Sequence, residues 1–421
     1  VVEPGGQLRI GVRGIGIDIN KTYHLDKSAL DYLKQQATIN RVNAGLLTTL
    51  KPAYYAADNH LYVERPSIQG DLDTAFTALS TAEQMVSLTA MRGLGGIGKS
   101  QLAAHYFYHS QKTYTHRYWL TATTRDRLIH QVRQLAIGLG LLAEDEKHSP
   151  ELILELVKNH LARQQQSTLL VFDDVTQYGD IRDYLNLANL PQCDGLITSR
   201  NGTPQPGILP IDVGVMTPDE AKALLRRHAP AIAHDAPQLD DLIEALGQLP
   251  LALAQAGAYI NVMGCSVADY FKLFQEEAKQ LELLAEGQLK DTVDRREHRT
   301  VRVTWLLNKK RLSQHCPAAI AVLEYSAWLS DKGIPQGLLQ GVTDQDDETF
   351  RAAKAALRRY SLMGFDDTQR TAQMHQLVQR VVRQGVKTEE CKAQLTGLAA
   401  LLLKIYPEDK PRVADQVIAR R

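Results

Sequence analysis

Cysteine is scarce in this chain: of 421 residues only Cys193, Cys265, Cys316 and Cys391 are cysteine, with no two closer than Cys265 and Cys316. That spacing excludes a Cys-based metal cluster and a disulfide framework, and it makes the reducing cytosol the natural compartment. An excess of charge is missing too. The 48 Lys+Arg offset 48 Asp+Glu, so nothing supports a strongly basic nucleic-acid binder, although local basic patches stay open. Long apolar runs are lacking as well. The nearest, Leu395 to Tyr406, falls short of the roughly 18 residues a membrane helix needs and contains Lys404. No charged-then-apolar leader opens the chain. It begins at Val1 rather than Met, and the expectation is an excised part of something longer.

What is present is ordinary globular composition, 44% hydrophobic and 23% charged. At roughly 100–200 residues per domain, the length predicts two to four domains. Residues 1–57 read poorly: Gly-broken strands near the start, then an amphipathic helix from Lys27 to Leu50. From about residue 84 apolar strands alternate with helices. The strands are Val86–Met91, Arg117–Ala122, Thr168–Asp174, Gly195–Arg200 and Ile208–Val213. Near-continuous apolar strands alternating with helices predict an α/β domain with a parallel sheet covered on both faces. Between them, Leu128, Val132, Leu135, Ala136 and Leu139 share one helical face, and Ser149-Pro150-Glu151 reads as a helix start. Thr217-Pro218-Asp219-Glu220 reads as a capping box, and the pattern is helical from there to about Glu286. A further unit, Asp294 to Val386, has helices and a hairpin-like stretch from Ser361 to His375. The tail returns to helix at Thr388.

Chemistry concentrates in Gly93-Leu94-Gly95-Gly96-Ile97-Gly98-Lys99-Ser100, which fits G-x-x-x-x-G-K-[ST] between a strand and a helix. Glycines let the backbone wrap a phosphate, and the following helix turns its positive end toward the same anion. Lys99 would neutralise phosphate oxygens, and the Ser100 hydroxyl would ligate Mg²⁺. Asp173-Asp174 end an apolar strand, where the first carboxylate suits Mg²⁺ and the second an attacking water. Arg200, at another strand end, has the fork geometry that pairs with a γ-phosphate. A nucleoside triphosphate with Mg²⁺ is the ligand class these residues suit.

GLGGIGKSQLA, LLVFDD, ITSR, LGQLPLAL (Leu246 to Leu253) and MHQLVQ (Met374 to Gln379) occur in that order. The set resembles the NB-ARC family of STAND nucleotide-binding switches, over about residues 60–386. The resemblance implies a P-loop nucleotide-binding domain over 58–215, an all-α helical domain over 216–292 and a winged-helix domain over 293–386. Residues 1–57 are then read as the stub of an effector domain, and 387–421 as the start of a repeat sensor. It implies that Val63 and Arg65, in the YVERP strip, lie against adenine, as does Pro250. Gly93, Gly95, Gly96, Ile97, Gly98, Lys99, Ser100 and Gln101 would hold the phosphates, with Ser100 and Asp173 on the metal. Asp174, Arg200 and Lys99 would serve ATP hydrolysis. His375 would touch the ADP β-phosphate. One departure stands out: the family's Met-His-Asp triplet reads Met374-His375-Gln376, without its acidic residue.

The resulting expectation is a cytoplasmic, nucleotide-gated signalling switch, ADP-bound and closed at rest, ATP-bound and self-associating when an upstream protein or small molecule triggers it. Hydrolysis would be slow. A transcription regulator and a constitutive ATPase are the alternatives. Arg351, Lys354, Arg358 and Arg359 share part of a helix face, but a solvated or interdomain face is the expectation over duplex DNA. His105 and His109 have metal-compatible spacing without a third ligand nearby, so packing histidines are expected.

Overall fold

The structure is a computed structural model. It describes residues 2–3, 7–10, 21–24, 49–51, 59–79, 85–89, 95–190, 192–203, 205–285, 296–343, 346–367, 370–386 and 388–405. These fall into two compact units, residues 1–51 with 110–195 and residues 52–109 with 196–421.

β1 (Val2–Glu3), β2 (Gln7–Ile10) and β3 (Lys21–His24) form a small antiparallel sheet. The helix expected from Lys27 lies outside the described residues, except that its last two residues are strand instead, β4 (Thr49–Leu50). The larger sheet adds β5 (Met85–Thr89), β6 (His116–Thr121), β7 (Thr168–Val175), β8 (Cys193–Ser199) and β9 (Ile208–Asp212), in the order β4-β6-β7-β8-β5-β9. The pairs β4–β6, β6–β7 and β5–β9 are parallel. All of β5 and nearly all of β7 are buried, as strands covered by helices on both faces must be. The five apolar runs therefore form strands within two residues of where composition puts them.

In the first unit two helices start on hydroxyl caps. α1 (Pro66–Ala78) and α2 (Lys99–His109) precede them in the chain and belong to the second unit. Thr124 caps α3 (Arg125–Gly138), and Ser149 caps α4 (Pro150–Arg163) by accepting from the Leu152 N–H at 3.3 Å. Such a cap contributes about 1 kcal/mol. Leu128, Val132, Leu135 and Ala136 are the buried stripe of α3, and α5 (Tyr178–Leu185) follows β7.

In the second unit Thr217 and Glu220 form the expected capping box on α6 (Pro218–His228). α7 (Leu239–Ala245), α8 (Pro250–Met263) and α9 (Val267–Ala285) continue the helical run. α6 and α8 cross so closely that a Cβ on Gly257 would lie 2.6 Å from His228 Cβ. α10 (Arg296–His315) buries Trp305 and joins α8 through Thr304 Oγ1, which donates to Gln255 Oε1 at 2.7 Å.

α11 (Pro317–Ser326), β10 (Ile334–Pro335), α12 (Gln336–Gly341), α13 (Asp347–Arg359), β11 (Gly364–Asp366), β12 (Thr371–Gln373), α14 (Gln376–Gln384) and α15 (Thr388–Ile405) complete the chain. β11 and β12 are the hairpin expected between Ser361 and His375, and the small sheet runs β10-β12-β11.

Candidate phosphate-binding site

Two left-handed residues shape the loop ahead of α2. Gly96 has φ +80° and Gly98 φ +90°, a region where a side chain strains the backbone. Ile97, between them, is buried and anchors the loop in the core. Gly95 is described with them, while Gly93 lies outside the described residues. Lys99 opens α2 with only 9% of its surface exposed, rare for a lysine. Ser100 is half-buried, and Gln101 accepts a hydrogen bond from Asn59 Nδ2 at 3.3 Å.

Residues far along the chain meet this loop. The Leu251 N–H donates to the Gly96 carbonyl at 3.3 Å. A Cβ on Gly96 would stand 3.2 Å from Leu251 Cβ and 3.8 Å from His375 Cε1, and one on Gly98 would stand 3.9 Å from Pro250 Cγ. Pro250 is the first residue of α8, where its missing N–H costs nothing. His375 caps α14: its Nδ1 accepts from the Leu377 N–H at 3.1 Å. A neutral imidazole that accepts at Nδ1 carries its proton on Nε2, so Nε2–H is the ring's donor.

Burial, and after it the positive charges of Arg200, Lys99 and Lys332, lower the His375 pKa to about 3. The ring nonetheless keeps accessible surface. His375 is thus crowded by protein atoms yet exposed to solvent, and it is neutral at physiological pH. Three cations bearing on one imidazole repel one another, and an anion among them would relieve that repulsion. The sequence marked Lys99, Arg200, Pro250 and His375. It missed Leu251, although that residue sits beside Pro250 in the LGQLPLAL motif. It also missed Lys332, which no motif includes.

Arg65 lies where the fold ties itself together. Its Nε donates to Glu220 Oε2 at 3.2 Å, and Nη2 donates to the carbonyls of Gly214 and Val215 at 3.1 and 2.9 Å. Nη1 is buried with no hydrogen-bond partner among the described residues. Val63 is buried nearby in sequence. Tyr62 stacks on His105 at 4.4 Å, and His105 on His109 at 3.9 Å, so the two histidines pack on aromatic faces. Among the described residues no group of three or more His, Cys, Asp or Glu could hold a metal.

In the other unit, the paired aspartates lie just before the last residue of β7, Val175. Asp173 is 1% exposed, and its carbonyl accepts from the Ala122 N–H at 2.8 Å. Asp174, the penultimate residue of β7, adopts φ +63°, a conformation that Asp tolerates better than most residues and that strains the strand's end.

The basic helix face is partly engaged. Lys354 pairs with Asp367, and Arg358 Nη2 donates to Asp367 Oδ2 at 3.0 Å and to the Phe365 carbonyl at 2.8 Å. These two cations hold the Asp367 pKa down at about 2.

Comparison with known proteins agrees with the loop. Residues 68–230 match the NB-ARC domain family. Residues 68–230 carry an NB-ARC domain. The chain is 27% identical over 171 residues to a nucleotide-binding leucine-rich repeat (NLR)-like protein of Hyaloscypha variabilis, covering 39% of the chain and 17% of the relative. It is 25% identical over 255 residues to the regulatory protein AfsR of Streptomyces griseus, covering 57% of the chain and 25% of that protein. Its fold resembles the crystal structure of a Signal Transduction ATPase with Numerous Domains (STAND) protein with a tetratricopeptide repeat sensor from Pyrococcus horikoshii. The TM-score is 0.52 at 15% identity, over 89% of this chain and 49% of that one. The chain thus spans a quarter or less of the curated relatives and about half of the solved structure.

Proposed function

We propose that this chain is a nucleotide-gated signalling switch that rests closed on ADP and opens, self-associating, on ATP with Mg²⁺. One observation carries the reading: Leu251, Pro250 and His375, all remote in sequence, meet the glycine loop at Gly96 and Gly98. The boundaries 58–215, 216–292, 293–386 and 387–421 are proposed as nucleotide-binding, helical, winged-helix and sensor-start segments. A nucleotide held by the loop, by the start of α8 and by the cap of α14 would join three of them.

The donors present fit such a ligand. Gly95, Gly96, Ile97, Gly98, Lys99, Ser100 and Gln101 are the assigned phosphate cradle, to which the resemblance adds Gly93. The His375 Nε2–H is the donor for the β-phosphate, and Arg200 the partner for a γ-phosphate. Val63, Arg65 and Pro250 are assigned to adenine, with the orphaned Arg65 Nη1 as a donor toward the base or ribose. On donor chemistry alone, the Ser100 hydroxyl and the Asp173 carboxylate are the oxygen ligands for Mg²⁺. Bound Mg²⁺ would supply charge neutralisation of the phosphates. Asp174 is assigned to orient the attacking water, and hydrolysis is proposed to be slow and to reset the switch.

Shifting such an equilibrium from 1:99 to 99:1 takes about 5.5 kcal/mol of differential binding. One charged phosphate contact supplies about 1.5–3 kcal/mol. An upstream protein or small-molecule trigger is therefore proposed to supply the rest. The NLR-like and STAND relatives support a signalling role, and a cytoplasmic location is part of the same proposal. No described helix is long and apolar enough to cross a membrane. Light scattering with ADP and with a non-hydrolysable ATP analogue tests the switch. A larger assembly with the analogue alone supports it, and steady ATP turnover at unchanged size refutes it.

A further inference from the structure

We infer that Asp331 is the positioning residue for His375, supplying from a separate loop the acidic group that the Met374-His375-Gln376 triplet lacks. The inference rests on the proposed nucleotide reading of His375. Asp331 lies between α11 and β10, and it grips the triplet on both sides of the histidine. Its backbone carbonyl accepts from the Met374 N–H at 2.8 Å. Its carboxylate Oδ2 accepts from Gln376 Nε2, also at 2.8 Å. A three-residue segment fixed at both ends leaves its middle residue little freedom, and His375 accordingly holds φ −59°, ψ 134° as the cap of α14. That backbone setting lets Nδ1 accept from the Leu377 N–H and leaves Nε2–H directed away from the helix.

The chemistry of the pair is polar in one direction. A carboxylate only accepts, whereas the Gln amide both donates and accepts. The donor stands at 376 and the acceptor at 331, so the acidic residue is displaced rather than absent. The same loop carries Lys332, whose charge reaches His375, and Gly333 with φ +70° turns the chain into β10. Restoring an acid at 376 would set two carboxylates face to face. Gln376→Asp is therefore expected to weaken the site.

Release of a fluorescent ADP analogue, followed by stopped flow, tests this on the full chain. Gln376→Asp is expected to release it about tenfold faster, and Asp331→Asn, which keeps an acceptor of the same shape, a few-fold faster. The exchanged pair Asp331→Asn with Gln376→Glu restores a donor facing a carboxylate, and its release is expected within about threefold of the native rate. A merely structural role for Asp331 would not produce rescue by exchange. If Gln376→Asp does not fold, Asp331→Asn decides: faster release supports the inference and unchanged release overturns it. His375→Ala separates the two readings. Faster release there with native release in Gln376→Asp and Asp331→Asn removes Asp331 alone; native release in His375→Ala removes the nucleotide reading and this inference with it.

Discussion

Leu251 donates its backbone N–H to the carbonyl of Gly96 at 3.3 Å, and its side chain closes over the position where Gly96 has no Cβ. The start of α8 thus rests directly on the glycine loop. The contact joins two segments more than a hundred residues apart in sequence.

Gly96→Ala is the sharpest probe of that contact. The new methyl meets Leu251 Cβ at 3.2 Å, and the φ of +80° disfavours any side chain. A residue held in such a region costs about 1–3 kcal/mol. Nucleotide affinity measured by titration calorimetry is expected to fall at least tenfold, with a thermal midpoint lowered by several degrees. An unchanged affinity would show that the loop does not need this conformation.

Arg65 is expected to matter for stability before it matters for ligand. It is buried, and it serves one carboxylate and two carbonyls at once. Arg65→Ala leaves Glu220 and both carbonyls without these bonds, and a loss of about 3–5 kcal/mol is expected in urea unfolding. Arg65→Lys has one ammonium in place of a planar fork and should recover less than half of that. Full recovery by lysine would mean that charge alone, not the fork, is at work.

Acid should destabilise the protein through His228. Burial, then the charge of His60, lowers its pKa to about 4. Its ordinary value is about 6.5, so between pH 6.5 and 4 the unfolded chain binds a proton that the native state refuses. Stability from this group is complete above pH 6.5 and is lost as pH falls toward 4, by about 1–2 kcal/mol for a half-buried ring. His228→Asn should flatten the denaturation midpoint over that window. His375 acts in the same direction but stays neutral down to a lower pH. Its Nε2–H donor should therefore persist through the whole range from pH 8 to 5.

The strands and caps were legible because their causes are local. Buried apolar runs made β5 to β9 within two residues of expectation, and Thr217 and Ser149 marked their helices by hydroxyl chemistry. The glycine loop was legible for the same reason. The partners that complete it were legible only by resemblance, and in part. Pro250, Leu251 and His375 belong to motifs, but the contact of Leu251 with the loop, like the influence of Lys332 and the bonds of Asp331, is created only by the folded chain. Arg65 shows the same limit from the other side. Its motif pointed to a base, yet most of its donors are used on Glu220, Gly214 and Val215. The absent acid of the 374–376 triplet is the clearest case: the sequence shows a gap at Gln376, and the fold places Asp331 against it.

The most direct test of the account is to denature the purified protein and identify the released nucleotide by chromatography, beside Lys99→Ala and His375→Ala. The account predicts near-stoichiometric ADP from the native chain, none from Lys99→Ala and a reduced amount from His375→Ala. Native protein that carries no nucleotide and hydrolyses added ATP steadily would contradict it.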